Sequence, residues 1–267
     1  MSRRVPTPAY AAVGSNAERS PAQRTVLFLH GIGGNRDSFA DELPRLAKTW
    51  RALAWDMPGY GASPAIAPLT FTVLAQAVVA VLDAERAERA VLVGHSLGGM
   101  IAQETAARFP QCVAGLVLFA TSAAFGGKDD SFKTAFLAER LAPLDAGRTM
   151  PEIAGELTKG LFGSSPPEAA RRRAVASMAA IPPAAYREAL QCIVDFNRID
   201  DLARIACPTL VLAAEHDRLA PPKTMERMAA RIPGARYRCI AGAGHLANFE
   251  RPAAFRAALD EFLATLA

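Results

Sequence analysis

The sequence predicts an α/β protein: a mostly parallel, doubly wound sheet with a helical cap inserted between two of its strands. Three observations predict it. Short runs rich in Val, Leu and Ile alternate with longer helix-like stretches. The short runs are continuously apolar, as in a sheet covered on both faces. Residues 122–199 then break the alternation with no clear strand, a length too great for one crossover connection.

Taken in order, Ala9–Val13 reads as a short leading strand. Val26–His30, Ala52–Asp56, Ala90–Gly94, Gly115–Thr121, Thr209–Ala213 and Arg236–Ile240 read as the main strands. Segments 38–48, 70–88, 98–108, 223–231 and 252–266 read as helices between or after them. The last two follow Pro221–Pro222 and Pro252, and proline is favoured at a helix start. The core is therefore expected in 1–121 and 200–267, and the cap in 122–199. The cap opens with Gly126–Gly127 and is punctuated by Pro143, Pro151, Pro166–Pro167 and Pro182–Pro183.

Composition fits a globular enzyme-sized chain. Of 267 residues, 51% are hydrophobic and 21% charged, with a formal net charge of +4. That charge is too small and too dispersed to predict a nucleic-acid partner; Arg171–Arg173, the densest cluster, reads as a solvated helix face. The Ala-rich stretch 71–82 is interrupted by Thr72 and Gln76 and followed by charges, so a buried helix is expected and no membrane span. The N-terminal MSRRVPTPAYAAVGSNAERSP has two arginines but no apolar h-region, so a cytoplasmic location is expected. Cys112, Cys192, Cys207 and Cys239 have no metal-ligand or redox spacing, which excludes a zinc site and a disulfide scaffold. Each lies among apolar residues and is expected as a buried, inert thiol.

The strongest chemical signal is Gly94-His95-Ser96-Leu97-Gly98-Gly99, between the strand AVLV and the helical MIAQETAARF. A serine at a sharp strand-to-helix turn needs small residues two positions away on each side, and Gly94 and Gly98 supply them. A plain Gly-rich strand–helix turn is the rival reading of the pattern; the placement gives the nucleophile weight. A serine nucleophile needs a base. Of His30, His95, His216 and His245, His245 is the best candidate, in a Gly-rich loop at the carboxyl end of a strand, where open α/β sheets build their sites. His95 adjoins the serine and should point elsewhere. The base needs an orienting carboxylate. Asp217 directly follows the strand TLVLA and is favoured over Glu215, Asp195 and Asp200; Glu215 is expected to cap or pair locally.

The order Ser96, Asp217, His245 suits this architecture. Backbone N–H groups of Ile32 and Leu97 are the expected oxyanion donors. His30 and Gly31 shape that loop, His30 by hydrogen bonding and not by proton transfer. The Gly-rich HGIGGN lacks the GxxxxGK[ST] or complete GxGxxG context of a nucleotide site. Asp56, in DMPGYGAS, is expected to satisfy backbone N–H groups of a tight turn.

Together HGIGGN (30–35), DMPGYGAS (56–63), GHSLGG (94–99), EHD (215–217) and GAGHLANFE (242–250) resemble the α/β-hydrolase fold superfamily over about residues 24–267. Within it the chain looks most like the 3-oxoadipate enol-lactonase and small-carboxylesterase branch. The segment HLANFERP is similar to that branch, and it recurs in cofactor-free perhydrolases (haloperoxidases) and carbon–carbon bond hydrolases. Serine at 96 speaks against haloalkane dehalogenases and epoxide hydrolases, which place Asp there. Histidine at 95 stands where meta-cleavage carbon–carbon hydrolases usually carry Asn. The resemblance implies an ester- or lactone-cleaving serine hydrolase working through an acyl-enzyme, with no cofactor and no metal. Its rivals are diketone hydrolysis, perhydrolysis and a non-enzymatic ligand-binding role. A small ester or lactone is the implied partner, with no nucleic acid and no membrane; the sequence does not specify oligomeric state. Arg140, Arg148, Lys159, Arg171–Arg173 and Arg187 could meet an acidic substrate from the cap, and Phe125, Phe132, Phe136, Leu137, Leu141, Leu161, Phe162 and Met178 a hydrophobic one.

Overall fold

In the computed structural model, residues 5–14, 24–126 and 130–266 are described. Gly127 and most of the N-terminal leader segment considered above lie outside them. Seven strands form one sheet: β1 (Tyr10–Val13), β2 (Thr25–Leu29), β3 (Arg51–Trp55), β4 (Ala90–His95), β5 (Val113–Phe119), β6 (Thr209–Ala214) and β7 (Arg236–Ile240). Their spatial order is β1-β3-β2-β4-β5-β6-β7. β1 runs antiparallel to β3, and every other neighbouring pair is parallel. The expected strands are all present, displaced by at most two residues.

The continuous apolar runs have the anticipated cause. Along β2, Leu27 and Leu29 join one core cluster while Val26 and Phe28 join the other; β4 divides Leu92 from Val91 and Val93 likewise. Successive side chains alternate between faces, and both faces are covered. One cover includes α2 (Phe71–Glu85) and α3 (Leu97–Arg108); the other includes α1 (Leu43–Leu46) and α10 (Pro252–Ala264). Thr70 caps α2 by accepting from the Val73 N–H, and Arg86 ends it in a left-handed conformation. Among the described residues no helix is long and apolar enough to cross a membrane.

Segment 38–48 is not one helix. It is a 3₁₀ turn, Arg36–Phe39, opened by the Asn35 side chain accepting from the Asp37 N–H, followed by the single turn of α1. Pro44 explains the break: it has no N–H to donate and its ring would collide with the Ala40 carbonyl in a continuous helix. The cysteine expectation also needs correction. Cys192 is buried, but Cys112 and Cys207 are half-buried and Cys239 is exposed; all four are free. Cys239 sits on β7, an edge strand whose residues are mostly exposed.

Between β5 and β6 the chain forms α4 (Asp130–Asp145), α5 (Met150–Lys159), α6 (Glu168–Ala179) and α7 (Pro183–Ile193). Pro167 and Pro182 sit at the caps of α6 and α7, and Thr149 with Glu152 forms a capping box on α5. The two ends of this stretch meet. Ala124 and Asn197 form an antiparallel bridge, and the Arg198 N–H donates to the Ala123 carbonyl at 2.7 Å. After β6 come α8 (Pro222–Ala229), β7 and the one-turn α9 (Ala247–Glu250), which leads into α10.

Candidate active site

Ser96 stands between the end of β4 and the first residue of α3 with φ 52° and ψ −118°, a conformation that costs an L-residue free energy. The fold holds it there from several sides. The Ser96 N–H donates to the Phe119 carbonyl at 2.9 Å, and its carbonyl accepts from the Thr121 hydroxyl at 2.7 Å and from the Gly99 and Met100 N–H groups. The glycines are required by proximity. A Cβ on Gly94 would lie 2.3 Å from the Gly98 carbonyl oxygen, and one on Gly98 would lie 2.1 Å from that of Leu29. Strand, turn and helix close only if both side chains are absent.

His245 lies in the loop between β7 and α9, and Asp217 in the loop after β6. The structure brings them together: His245 Nδ1 is 2.8 Å from Asp217 Oδ2, and both side chains are buried. A carboxylate only accepts, so Nδ1 carries a proton, and in the neutral imidazole Nε2 is then the acceptor. Asp217 Oδ1 is engaged separately, by the N–H groups of Leu219 at 2.8 Å and Ala220 at 3.0 Å. Burial alone would raise the Asp217 pKa; the nearby His245 and these hydrogen bonds outweigh it and hold the carboxyl below its usual range. Glu215 accepts from the Gly242 N–H at 2.7 Å, a local bond that ties the two loops together.

The other two histidines of interest are held in structural networks. His30 accepts at Nε2 from the Met57 N–H (3.0 Å), so its Nδ1–H donates to the Gly31 carbonyl (2.8 Å). Burial lowers its pKa to about 4. His95 turns away from the serine and donates through Nε2 to the His245 carbonyl at 2.8 Å; burial first, then the proximity of His245, lowers its pKa to about 3. Asp56 accepts from the N–H groups of Arg36 (2.9 Å) and Ala62 (3.1 Å), with the Arg36 guanidinium 3.2 Å away.

Ser96 and His245 face one cavity of about 630 Å³, within the range of small-molecule sites. Ile32 and Met100 line its floor side. Phe125, Phe132, Phe136, Leu161 and Met178 line it from the 122–199 stretch, whereas Leu137, Leu141 and Phe162 do not. Phe125 packs against Phe132 and Phe136 at ring separations of 5.8 and 4.6 Å. Of the cations named from the sequence, Arg140 alone lines the cavity, its guanidinium 4.1 Å from the centre of the Phe136 ring. Arg148, Arg173 and Arg187 pair instead with Glu156, Asp41 and Asp145.

Sequence reasoning missed four contributors. Arg218 and Leu219 line the cavity immediately after Asp217. Glu104, buried on α3, holds Arg198 at 2.6 Å and also binds Arg108. Glu250 bonds two backbone N–H groups beside His245. Only Glu250 lay inside a recognised motif, and its partner Gly163 is remote in sequence. Among the described residues no group of three or more His, Cys, Asp or Glu could hold a metal ion.

A mainly parallel sheet carrying a strained serine at its central strand, with a His–Asp pair on two later loops, defines a class of fold. A family model described as alpha/beta hydrolase fold matches residues 24–252, and the chain belongs to that family. A pimeloyl-[acyl-carrier protein] methyl ester esterase of Neisseria meningitidis is 29% identical, over 91% of this chain and 93% of its own length. A hydrolase of Pseudomonas aeruginosa PA01 has a similar structure, with TM-score 0.82 and 30% identity, covering 95% of this chain and 93% of that one. The enol-lactonase of Burkholderia xenovorans LB400, at 22% identity and TM-score 0.76 over 96% of each chain, shares the fold.

Proposed function

We propose that this protein hydrolyses a carboxylic ester or lactone of small to medium size through an acyl-enzyme on Ser96. The observation that carries the reading is the buried His245–Asp217 pair at 2.8 Å, whose histidine lines the same cavity as a serine strained between strand and helix. In this mechanism the Ser96 hydroxyl attacks the carbonyl carbon and His245 Nε2 takes its proton. Asp217 holds the imidazole tautomer and favours the imidazolium that forms. The oxyanion is met by the N–H groups of Ile32 and Leu97; Leu97, first in α3, has an N–H with no acceptor inside its own helix. The carbon–oxygen bond breaks, the leaving oxygen takes the proton from His245, and water repeats the sequence on the acyl-enzyme.

Residues 122–199 act as a cap in this reading, with 1–121 and 200–267 as the hydrolase core. The mixed lining supports that role, because cap and core residues contribute to one wall. The Neisseria relative, an esterase by name, favours an ester over a lactone. The substrate is a small molecule met in the cytoplasm, without a cofactor, nucleic acid or membrane.

The test is a burst assay with p-nitrophenyl esters of short and medium chain, run beside Ser96→Ala. A stoichiometric burst that Ser96→Ala abolishes is expected. Turnover that survives Ser96→Ala would remove the assignment.

A further inference from the structure

We propose that Glu250 is a positioning residue for His245, acting by tying the loop after α5 to the histidine loop. The inference rests on His245 being the base. Glu250 ends α9 with its side chain buried. Its two oxygens serve different elements: Oε1 accepts from the Gly244 N–H and Oε2 from the Gly163 N–H, each at 2.8 Å. A third bond lies in the same seam, where the His245 N–H donates to the Leu161 carbonyl at 2.7 Å. His245 and the residue before it are therefore both fastened to the Leu161–Gly163 turn, directly or through Glu250.

The seam is tight. A Cβ on Gly244 would stand 2.5 Å from the Phe162 carbonyl carbon, so the two backbones meet where no side chain fits. Its chemistry also selects the residue. Burying a carboxylate costs free energy unless its oxygens are hydrogen-bonded. Here both oxygens face N–H donors. A glutamine offers one acceptor, and its amide nitrogen would confront the second N–H.

The consequence concerns catalysis rather than packing alone. The His245 ring is held at Nδ1 by Asp217, and its main chain at N–H by Leu161 and at its carbonyl by His95. Glu250 adds the preceding amide. Part of the base's mounting thus comes from the 122–199 stretch, whose helices also line the substrate cavity.

The experiment uses Glu250→Gln in the full chain, with active sites counted by the p-nitrophenyl acetate burst. Expected are a kcat per titrated site reduced about 10- to 100-fold, the scale of a small misplacement of a reacting group, and a KM little changed. Amide hydrogen exchange at Gly163 and Gly244 accelerates. A lower burst amplitude with unchanged kcat per site means a purely structural role and overturns the proposal, as does unchanged exchange at both glycines. If Glu250→Gln does not fold, Gly163→Ala replaces it. Its Cβ crowds the Gly242 carbonyl oxygen at 3.0 Å, and the same fall in kcat at constant KM is expected, with unchanged kcat overturning the proposal. Wild-type protein that turns over neither p-nitrophenyl esters nor a lactone refutes the hydrolase reading itself, and the exchange measurement still judges the tie.

Discussion

His95 Nε2 donates to the main-chain carbonyl of His245 across 2.8 Å, and the two imidazole rings lie 4.9 Å apart. The residue next to the serine thus steadies the backbone of the proposed base while staying neutral. The neutral state makes acid stability a readout. Above pH 6.5 both the folded and the unfolded chain carry an uncharged imidazole here. Below that value the unfolded chain binds the proton, but folded His95 does so only near pH 3 and His30 near pH 4. Stability is therefore lost as pH falls from about 6.5 toward those values. Between pH 7.5 and pH 5 each histidine accounts for about 2 kcal/mol of that loss. Urea denaturation of His95→Asn at the two pH values should show about half the wild-type dependence on these groups; an equal loss in both proteins would refute the assignment.

Asp217→Asn tests the orienting carboxylate. Oδ1 already accepts from the Leu219 and Ala220 N–H groups. The asparagine oxygen would keep that place and turn its amide nitrogen toward His245, forcing the other tautomer. A fall in kcat on the order of 10⁴ is expected with the fold intact, measured by ester turnover and circular dichroism.

Arg140 tests substrate charge. It is 26% exposed, and its ion-pair partner Glu139, at 3.9 Å, is 82% exposed. Arg140→Leu should raise KM about tenfold for esters whose acyl chain ends in a carboxylate, the scale of one charged hydrogen bond. Neutral esters of equal length should be unaffected. Equal changes for both series would mean that Arg140 only shapes the wall.

Arg198→Ala tests the attachment of the 122–199 stretch to α3. The partner Glu104 is held below its usual pKa: burial pushes it up, and the Arg198 and Arg108 contacts outweigh that. A depressed carboxylate stabilises the fold above its unfolded pKa and loses that contribution as pH falls through the folded value. The variant should therefore lose about 1–3 kcal/mol at pH 7 and much less near pH 3. Chemical denaturation at both pH values measures it.

Much of the architecture was legible because its causes are local. A strand buried on two faces must be apolar along nearly its whole length, so β2, β4 and β5 announced themselves. The serine turn was legible because Gly94 and Gly98 answer a backbone collision that any other residue would create. Asp217 and His245 followed from their places after strands. What escaped was non-local or decided by exposure. Pro44 splits an otherwise plausible helix, and an apolar neighbourhood in sequence did not bury Cys239, because β7 has no strand beyond it. The cations of 122–199 looked alike until their partners were seen: Arg173 reaches Asp41, outside that stretch, while Arg140 lies along Phe136. Glu250 lay within the histidine motif, but its role gave no signal, because the backbone amides it binds have no side-chain signature.

The Ala124–Asn197 bridge has an evolutionary corollary. The polypeptide leaves the sheet layer and returns to it through a single doorway, already closed by main-chain pairing. The doorway stays closed whatever length of chain lies beyond it; for a flexible loop, doubling that length costs only about 0.6 kcal/mol in closure entropy. With Ser96 as the proposed nucleophile and 122–199 as the proposed cap, recombination could exchange everything past that threshold as a cassette and give the serine a new clientele. The Glu250 seam sets the condition for such a graft, since the incoming segment must still offer an amide and a carbonyl to the histidine loop.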